Sequence, residues 1–312
     1  MASLGSLAIL FSAFAFYFST YFVYLGQKKY PISAFVFVFW RFLVGFLVFE
    51  LFVLFQRHDL PPIQNKKGLY VRSFWNTIAV YFFLWGVEVS GVTKGNILNM
   101  TYPAFVALLA PLYVKEKIAL RHLLAVLLTI SGSFFVIGEG RVLYFSAKDF
   151  IGLISGLTAG IAVLSLRDIR QSDSTYQIIR TQFRFGFLFS LVVLVFLGFR
   201  QQIFEHVLLP YLFWSGFLGF LGQLLLTYGF RYVSSVQGSV LSSTRIVIAF
   251  IFGLILEHRD LPWISHLGAI LILCANLLLA MYNKKQESPA AARQGHPSSR
   301  SRGQTRRDGV SG

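Results

Sequence analysis

Long apolar runs separated by short polar stretches dominate this 312-residue chain. About 20 apolar residues cross the hydrocarbon core of a bilayer, at about 1.5 Å per residue, so the runs predict ten membrane-spanning helices. Helices are the default because lipid offers no partners to backbone groups, and the run 35–39 lacks the alternation of a barrel strand. The predicted spans are residues 3–25, 33–55, 70–90, 95–114, 119–138, 149–167, 177–198, 208–230, 235–256 and 263–282.

The chain also repeats itself at a constant spacing of 143 residues, between the windows 41–101 and 184–244. Twelve positions are identical without a gap, and the arginines and glycines among them carry most weight in so apolar a chain. They are Arg41 and Arg184, Arg57 and Arg200, Gly86 and Gly229, and Gly95 and Gly238. Internal duplication is typical of secondary transporters, whose substrate site lies between the repeats.

Each half contains five predicted spans, which is an odd number. The second half therefore enters the membrane from the opposite side, and the repeat is an inverted one. We divide the chain into a first five-helix repeat (1–140), a second five-helix repeat (141–282) and a basic tail (283–312). The predicted fold class is an all-α integral membrane protein with about ten helices in two inverted repeats.

Composition supports this class. Mean hydropathy is +0.64 and only 13% of residues are charged, against about 25% in a typical soluble domain. The single cysteine, Cys274, excludes a disulfide framework and a metal cluster built on thiolates. The first span has no positive charge before it and no convincing cleavage site after it, so we expect a retained helix rather than a signal peptide.

The net charge of +15 does not indicate nucleic-acid binding, because of where the charge lies. Most of the 28 Lys and Arg residues fall on one side of the predicted spans, which places both termini in the cytoplasm. The tail is rich in Ser, Gly, Pro and Arg and should be disordered. We interpret it as a topology anchor, with contact to anionic lipid headgroups as the alternative.

The fourth and ninth spans share a local pattern. The segment from Lys94 to Glu116 has a polar start, Pro103 within it, an apolar run and a Glu at its exit. Residues 239–257 repeat this pattern with Ile246 in place of the proline. This doubled unit resembles the drug/metabolite transporter superfamily, most closely its EamA-type members. The resemblance covers about residues 1–282 and implies a polytopic transporter without specifying a substrate.

Three arginines, Arg41, Arg184 and Arg245, lie well inside predicted spans. An arginine at mid-helix costs at least about 2.5 kcal/mol in lipid, so each should face the interior and have a partner. Glu50 and Glu88 are expected nearer the span ends, which leaves Arg245 without an acid. A guanidinium suits carboxylate or phosphate, so an anionic or zwitterionic substrate is favoured. Snorkelling to the headgroups is the alternative for Arg41 and Arg184.

Helical spacing predicts two polar stripes that line a cavity. In each stripe, residues at i, i+4 and i+7 share one helix face, and the two stripes are equivalent in the repeat. They are Gly238, Ser242 and Arg245 in the ninth span and Gly95, Asn99 and Tyr102 in the fourth. Ordinary helix–helix packing is the alternative. Trp85 and Tyr228 are also matched by the repeat and are candidates to stack on a substrate ring.

None of the six histidines forms a metal-ligand pair at helical spacing deep in the membrane, and the sequence has no Gly-rich phosphate loop with Gly-Lys-Ser/Thr. We therefore expect no cofactor, no catalytic residues and no direct use of ATP. The predicted function is a secondary transporter in the inner or plasma membrane that moves a small organic metabolite by alternating access. Its expected partners are that metabolite, the lipid bilayer and, as a candidate, a second copy of the chain. The alternatives are an intramembrane lipid-processing enzyme or lipid flippase, and a channel.

Overall fold

In the computed structural model, all regular secondary structure of the described residues is helical. These residues are 2–55, 61–113, 118–138, 146–170, 172–197, 206–256, 262–275 and 277–278, so the tail, Glu116 and the predicted boundary near residue 140 lie outside them. The helices are α1 (Ala2–Lys29), α2 (Ala34–Phe55), α3 (Lys66–Asn99), α4 (Tyr102–Tyr113), α5 (Leu120–Gly138), α6 (Asp149–Ile169), α7 (Thr175–Leu197), α8 (Leu209–Gly229), α9 (Ser235–Ser242), α10 (Thr244–Leu256) and α11 (Trp263–Ala275).

Six helical segments in the described part of the chain are long and apolar enough to cross a membrane. They are α1, α2, α6, α7, α8 and the stretch that joins α9 to α10, whereas α4, α5 and α11 are apolar but shorter. Large apolar side chains cover the outside: Phe55, Leu112 and Phe196 are 83%, 81% and 85% exposed. Apolar surface on this scale indicates contact with lipid rather than water.

Helix α3 is helical throughout, yet the chain reverses within it. A Cβ atom on Gly95 would lie 2.8 Å from the Cα atom of Val87. Residues eight apart in a straight helix are separated by about 12 Å. The chain therefore turns back between these two residues, which agrees with the predicted separation of the third and fourth spans.

The helix bounds recur at the spacing that the sequence shows. Each half begins with two long helices, α1 and α2 or α6 and α7. Two segments that fold back on each other follow, and a shorter helix, α5 or α11, comes last. Three bounds are separated by 143 residues: Lys66 and Leu209, Asn99 and Ser242, and Leu120 and Trp263.

The two halves are interlocked rather than side by side. Helices α1 and α2 pack on α8, and α6 and α7 pack on α3. Small residues allow the close approach: Gly152, Gly156 and Gly160 recur every four residues on α6 and face α3 and α4. A Cβ atom on Gly152 would lie 2.7 Å from Cβ of Leu98. This contact places the end of α3 directly against α6.

Arg72 is buried near the start of α3, where its side chain is only 2% exposed. Its Nη1 atom donates to Oδ1 of Asn76, one turn further along, at 3.1 Å. This intrahelical polar partner reduces the cost of burial.

Candidate functional site

Two helices are interrupted at equivalent positions of the repeat. Each of the predicted spans 95–114 and 235–256 contains one of these interruptions. The first breaks at Met100–Thr101 between α3 and α4, and the second breaks at Ser243 between α9 and α10. Hydroxyl groups satisfy carbonyls at both breaks, because Thr101 Oγ1 donates to Leu98 O at 2.6 Å and Ser243 Oγ to Val240 O at 2.5 Å.

The breaks set two side chains at the starts of the new helices. Tyr102 begins α4, and Arg245, its equivalent in the repeat, lies in the first turn of α10. The Tyr102 hydroxyl donates to the carbonyl of Ser239 in α9 at 3.0 Å. Arg245 Nη2 donates to Oδ1 of Asn99 at the end of α3, at 3.3 Å. Each residue therefore reaches from one broken helix to the other.

Asn99 is held in place on both sides of its amide. Its Nδ2 atom donates to Oγ of Ser155 on α6 at 3.1 Å, and Ser155 Oγ in turn donates to Gly152 O at 2.6 Å. Its Oδ1 atom is left for Arg245. Asn99 is 7% exposed, so this hydrogen-bonded chain is enclosed. The partner of the arginine is thus neutral, and the positive charge remains.

Arg245 has two further contacts, neither of which supplies negative charge. Its Nη2 atom lies 3.8 Å from Sδ of Met100, and its guanidinium carbon lies 5.4 Å from the centre of the Phe83 ring. Phe83 precedes the reversal of α3 and Met100 follows it, so the fold-back surrounds the guanidinium. A cation over an aromatic face is stabilised even when desolvated.

Arg41 faces the same region from α2. Its guanidinium carbon lies 5.2 Å from the Phe16 ring centre and occupies the gap left by Gly219, where a Cβ atom would be 3.1 Å away. The charges of Arg41 and Arg245 are close enough to repel each other. Among the described residues, neither has a carboxylate within ion-pair distance. The arrangement is therefore a positively charged interior with aromatic walls.

The structure does not bring Arg184 to this place. Its Nε and Nη2 atoms bind the two carboxylate oxygens of Glu50 at 2.6 and 2.8 Å, and its side chain is 48% exposed. Arg180 binds the same carboxylate at 3.1 and 2.9 Å. Glu50 lies on α2 and both arginines on α7, so these contacts form a seam between the two halves.

The predicted stripes divide into polar contacts and packing positions. Ser242 Oγ donates to Ser239 O at 2.9 Å, beside the Tyr102 contact. A Cβ atom on Gly238 would lie 2.5 Å from the Phe230 ring. Gly95 meets Val87 in the equivalent way. The two glycines therefore allow close packing at the fold-backs.

The two matched aromatic candidates lie apart from the arginines. Trp85 is 37% exposed and packs on Phe82 and Phe35, with ring centres 6.1 Å away in each case. Tyr228 accepts a hydrogen bond from Tyr232 at 3.4 Å and lines a groove at the edge of α8. In the described part of the chain, no three His, Cys, Asp or Glu side chains form a group that could hold a metal ion.

Sequence reasoning missed Ser155, although the repeat contains a signal for it. Ser155 and Ser12 are identical at the spacing of 143 and lie outside the windows 41–101 and 184–244. Their hydrogen bonds are also equivalent: Ser12 Oγ donates to Ile9 O at 2.7 Å, as Ser155 Oγ does to Gly152 O. Phe16, Phe83 and Gly219 carried no such signal.

Comparison with known proteins adds a family. The sequence profile described as the EamA-like transporter family matches residues 3–138 and again residues 147–281. An "Uncharacterized transporter" of Helicobacter pylori is 27% identical over 253 residues, covering 78% of this chain and 84% of the relative. Human "Solute carrier family 35 member G1" is 22% identical and covers 91% and 81%.

A further relative and a solved structure extend the comparison. The "Pseudopaline exporter CntI" of Pseudomonas aeruginosa is 23% identical over 250 residues, covering 79% of this chain and 86% of the relative. A solved crystal structure with 12% identity superposes with a TM-score of 0.72 over 91% of this chain and 99% of that chain. At this level of identity the superposition shows a shared fold.

Proposed function

The chain belongs to the EamA-like transporter family, and on that premise we propose that it moves a small anionic or zwitterionic metabolite by alternating access. The observation that carries the substrate class is the pair Arg41 and Arg245. Their charges are close enough to repel each other, and no described carboxylate lies within ion-pair distance of either. A charged side chain in the membrane interior is rare and marks a functional path. A substrate carboxylate or phosphate would complete the site.

The positions of the broken helices support an anion. Helices α4 and α10 both begin at the site, and the start of a helix carries a partial positive charge. Discontinuous helices in secondary transporters direct such starts at anionic substrate groups. Arg245 adds a planar fork that fits carboxylate or phosphate with two hydrogen bonds.

We infer that the two halves are inverted repeats of five spans each, with both termini in the cytoplasm. The recurrence of helix bounds at 143 residues and the double match of the family profile support the repeat. An odd number of spans per half supports the inversion. Two reporter fusions, one at Gly312 and one in the loop at Arg200, should give cytoplasmic and external signals respectively. Identical signals would contradict the ten-span arrangement.

Contacts between the halves close the proposed cytoplasmic end. The carboxylate of Asp173, between α6 and α7, accepts hydrogen bonds from the backbone N–H groups of Gln64 and Asn65 at 2.9 and 3.0 Å. Gln177 donates to the carbonyl of Pro61 nearby. Opening toward the cytoplasm would require these contacts to break. In this arrangement they act as an inner gate.

Names of relatives support the transport class. The human relative is named as a solute carrier and the Pseudomonas relative as a pseudopaline exporter. The substrate of this chain is inferred from its own arginines and remains a proposal of chemical class. The plasma membrane, or the inner membrane of a bacterium, is the proposed location.

A ligand screen tests the substrate class directly. Purified protein would be heated with sets of small anions, zwitterions, neutral sugars and cations at matched ionic strength. A ligand that binds only the folded state raises the melting temperature, by an amount that grows with its concentration over Kd. We expect stabilisation by members of the anionic or zwitterionic sets. Stabilisation by cations alone would contradict the proposal.

A further inference from the structure

A groove lies on the outside of the molecule between α2, α8 and the start of α7, away from the central arginines. Its volume is about 650 Å³, within the usual range for small-molecule sites of roughly 300–1,000 Å³. We call it the lateral groove. Its lining comprises apolar and aromatic residues along most of its length, with Ser174, Thr175 and Arg231 as polar members.

The lateral groove faces lipid. Phe52 and Tyr176, which line it, are 38% and 42% exposed. On α8, Leu225 and Tyr228 follow the exposed Trp214 by 11 and 14 residues, about three and four helical turns. They therefore share its outward face. A cavity on this face is filled from the bilayer rather than from water.

One wall of the groove is a continuous series of aromatic rings. Tyr176 stacks on Phe52 with ring centres 6.0 Å apart, Phe52 lies 5.8 Å from Phe49, and Phe49 lies 6.4 Å from Phe220. Leu224 completes the apolar lining on α8. An extended hydrocarbon chain would bury its surface along this wall.

The other end of the groove is positive. Arg231 is exposed there, and its charge is close enough to repel that of Arg170, which is 8% exposed. Burial, together with this repulsion, lowers the pKa of Arg170 to about 10, so Arg170 stays charged at neutral pH. The adjacent carboxylate of Asp173 is occupied by Ser172 Oγ at 2.7 Å and by two backbone N–H groups. Among the described residues, no carboxylate lies within ion-pair distance of Arg231.

This end of the molecule is also the one where the chain begins. A Cβ atom on Gly5 would lie 2.5 Å from Cβ of Tyr232, next to Arg231. On the topology proposed above it is the cytoplasmic end, where anionic lipids concentrate. Basic pockets between helices at this level bind anionic headgroups.

We propose that the lateral groove binds one anionic phospholipid of the cytoplasmic leaflet, with its phosphate at Arg231 and one acyl chain along the aromatic wall. The apolar wall accounts for the chain, and the arginine accounts for preference by charge. The proposal rests on the topology inferred above but on no transported solute. Its failure would therefore leave the transport proposal standing.

Native mass spectrometry of the purified full chain tests it, with phosphatidylglycerol and phosphatidylcholine of matched acyl chains added in turn. The wild type should retain phosphatidylglycerol several-fold more strongly. Arg231→Gln should weaken phosphatidylglycerol about fivefold, since one basic residue near a membrane surface contributes about 1 kcal/mol. Lys66→Gln removes a charge from an exposed position at the same end, outside the groove, and should have no such effect.

A second pair of variants tests the apolar wall. Leu224→Trp fills the groove and should weaken both lipids, whereas Leu188→Trp, at a 61% exposed position of α7 outside it, should change neither. Equal retention of the two lipids by the wild type would overturn the proposal. So would equal effects of Arg231→Gln and Lys66→Gln, which would mean a diffuse surface potential. Unchanged retention by Leu224→Trp would likewise exclude this groove as the site.

Discussion

Two groups of arginines in this molecule use the same chemistry in opposite ways. At the seam between α2 and α7, Arg180 and Arg184 share the carboxylate of Glu50, and all four nitrogen–oxygen distances are between 2.6 and 3.1 Å. At the centre, Arg41 and Arg245 share a region with a neutral amide and two aromatic rings. The seam has its counter-charge built in, and the centre leaves its counter-charge to be supplied.

The repeat explains the difference. Arg41 and Arg184 are equivalent at the spacing of 143. By the same spacing, the counterpart of the Glu50–Arg184 pair would join Arg41 to an acid on α7. The residue at that counterpart position is Val193. Replacement of one acid by valine thus makes the two halves unlike at this point. Two halves with matching helices can therefore differ in where they neutralise an arginine.

The largest effect is expected from removing Arg245. Arg245→Leu should weaken binding of an anionic ligand about thirtyfold or more, since losing one partner of a desolvated charge contact costs about 2–5 kcal/mol. Folding should be retained, because no buried counter-charge is left behind among the described residues. Arg245→Lys keeps the charge without the fork and should give an intermediate loss.

Ligand affinity and melting temperature, measured on the same preparations, separate the two roles of Arg245. Unchanged affinity in folded Arg245→Leu would rule out contact with the ligand. A collapse of folded protein with affinity retained in the remainder would mark a purely structural arginine.

Glu50→Gln should produce the next largest effect, on stability rather than on binding. The change removes the only acid among the described residues that pairs with Arg180 and Arg184, with little change in shape. Partly exposed ion pairs contribute up to about 1 kcal/mol each, and two arginines share this carboxylate, so the loss should be about 2 kcal/mol. The melting temperature should fall, while anion affinity in the folded protein stays the same.

A matched second change strengthens the test of the seam. Adding Arg184→Gln to Glu50→Gln removes one of the two unpaired charges and should recover part of the melting temperature. If Glu50→Gln instead weakened the anion with no loss of stability, Arg184 would belong to the binding site after all.

Much of the architecture could be predicted from the sequence because lipid imposes a simple rule. Apolar runs of spanning length predicted helices at α2, α6, α7 and α8, and the structure has them within a few residues of the predicted ends. The breaks at Met100–Thr101 and Ser243 could not be predicted in this way. Both lie within apolar runs, and hydropathy does not register where the backbone of such a run departs from a helix.

The candidate site was predictable in part. Equivalence and helical spacing indicated Arg245, Asn99 and Tyr102 together, and the structure places them at one crossing. Their role in substrate binding stays a prediction. The same equivalence joined Arg184 to Arg41, because matched positions share a place in the fold but not their neighbours. Aromatic identity likewise did not separate Trp85, at the exposed surface, from rings that face the interior.

Asn99→Asp would place a negative charge beside Arg245, as Glu50 does beside Arg180 and Arg184 at the seam. The carboxylate has the shape of the amide and would face Arg245 Nη2, 3.3 Å from Oδ1 in the wild type. A hydrogen bond to a charged group contributes about 1.5–3 kcal/mol, so an external anion should bind about tenfold more weakly. The melting temperature should hold or rise. Both are measured by the same ligand and thermal assays.

Asn76→Asp is the matched control for Asn99→Asp. Asn76 also accepts a hydrogen bond from an arginine, Arg72, at 3.1 Å, and it is 8% exposed. The same exchange there should leave anion affinity unchanged. Equal weakening by both variants would indicate a general effect of net charge. It would contradict a specific competition between the carboxylate at position 99 and the anion for Arg245.

The smallest effect is expected where the halves differ. Val193→Glu introduces on α7 the counterpart of Glu50 on α2. If the two positions have equivalent geometry, the new carboxylate should pair with Arg41, as Glu50 pairs with Arg184. Partly exposed ion pairs contribute up to about 1 kcal/mol, and anion affinity should fall about fivefold at most. Val193→Gln carries the same bulk without the charge and should leave affinity as it is. If Val193→Glu behaves like Val193→Gln in folded protein, valine at this position is not what leaves Arg41 free. The asymmetry would then arise from the backbone around Gly219, which sets how closely α8 approaches the arginine.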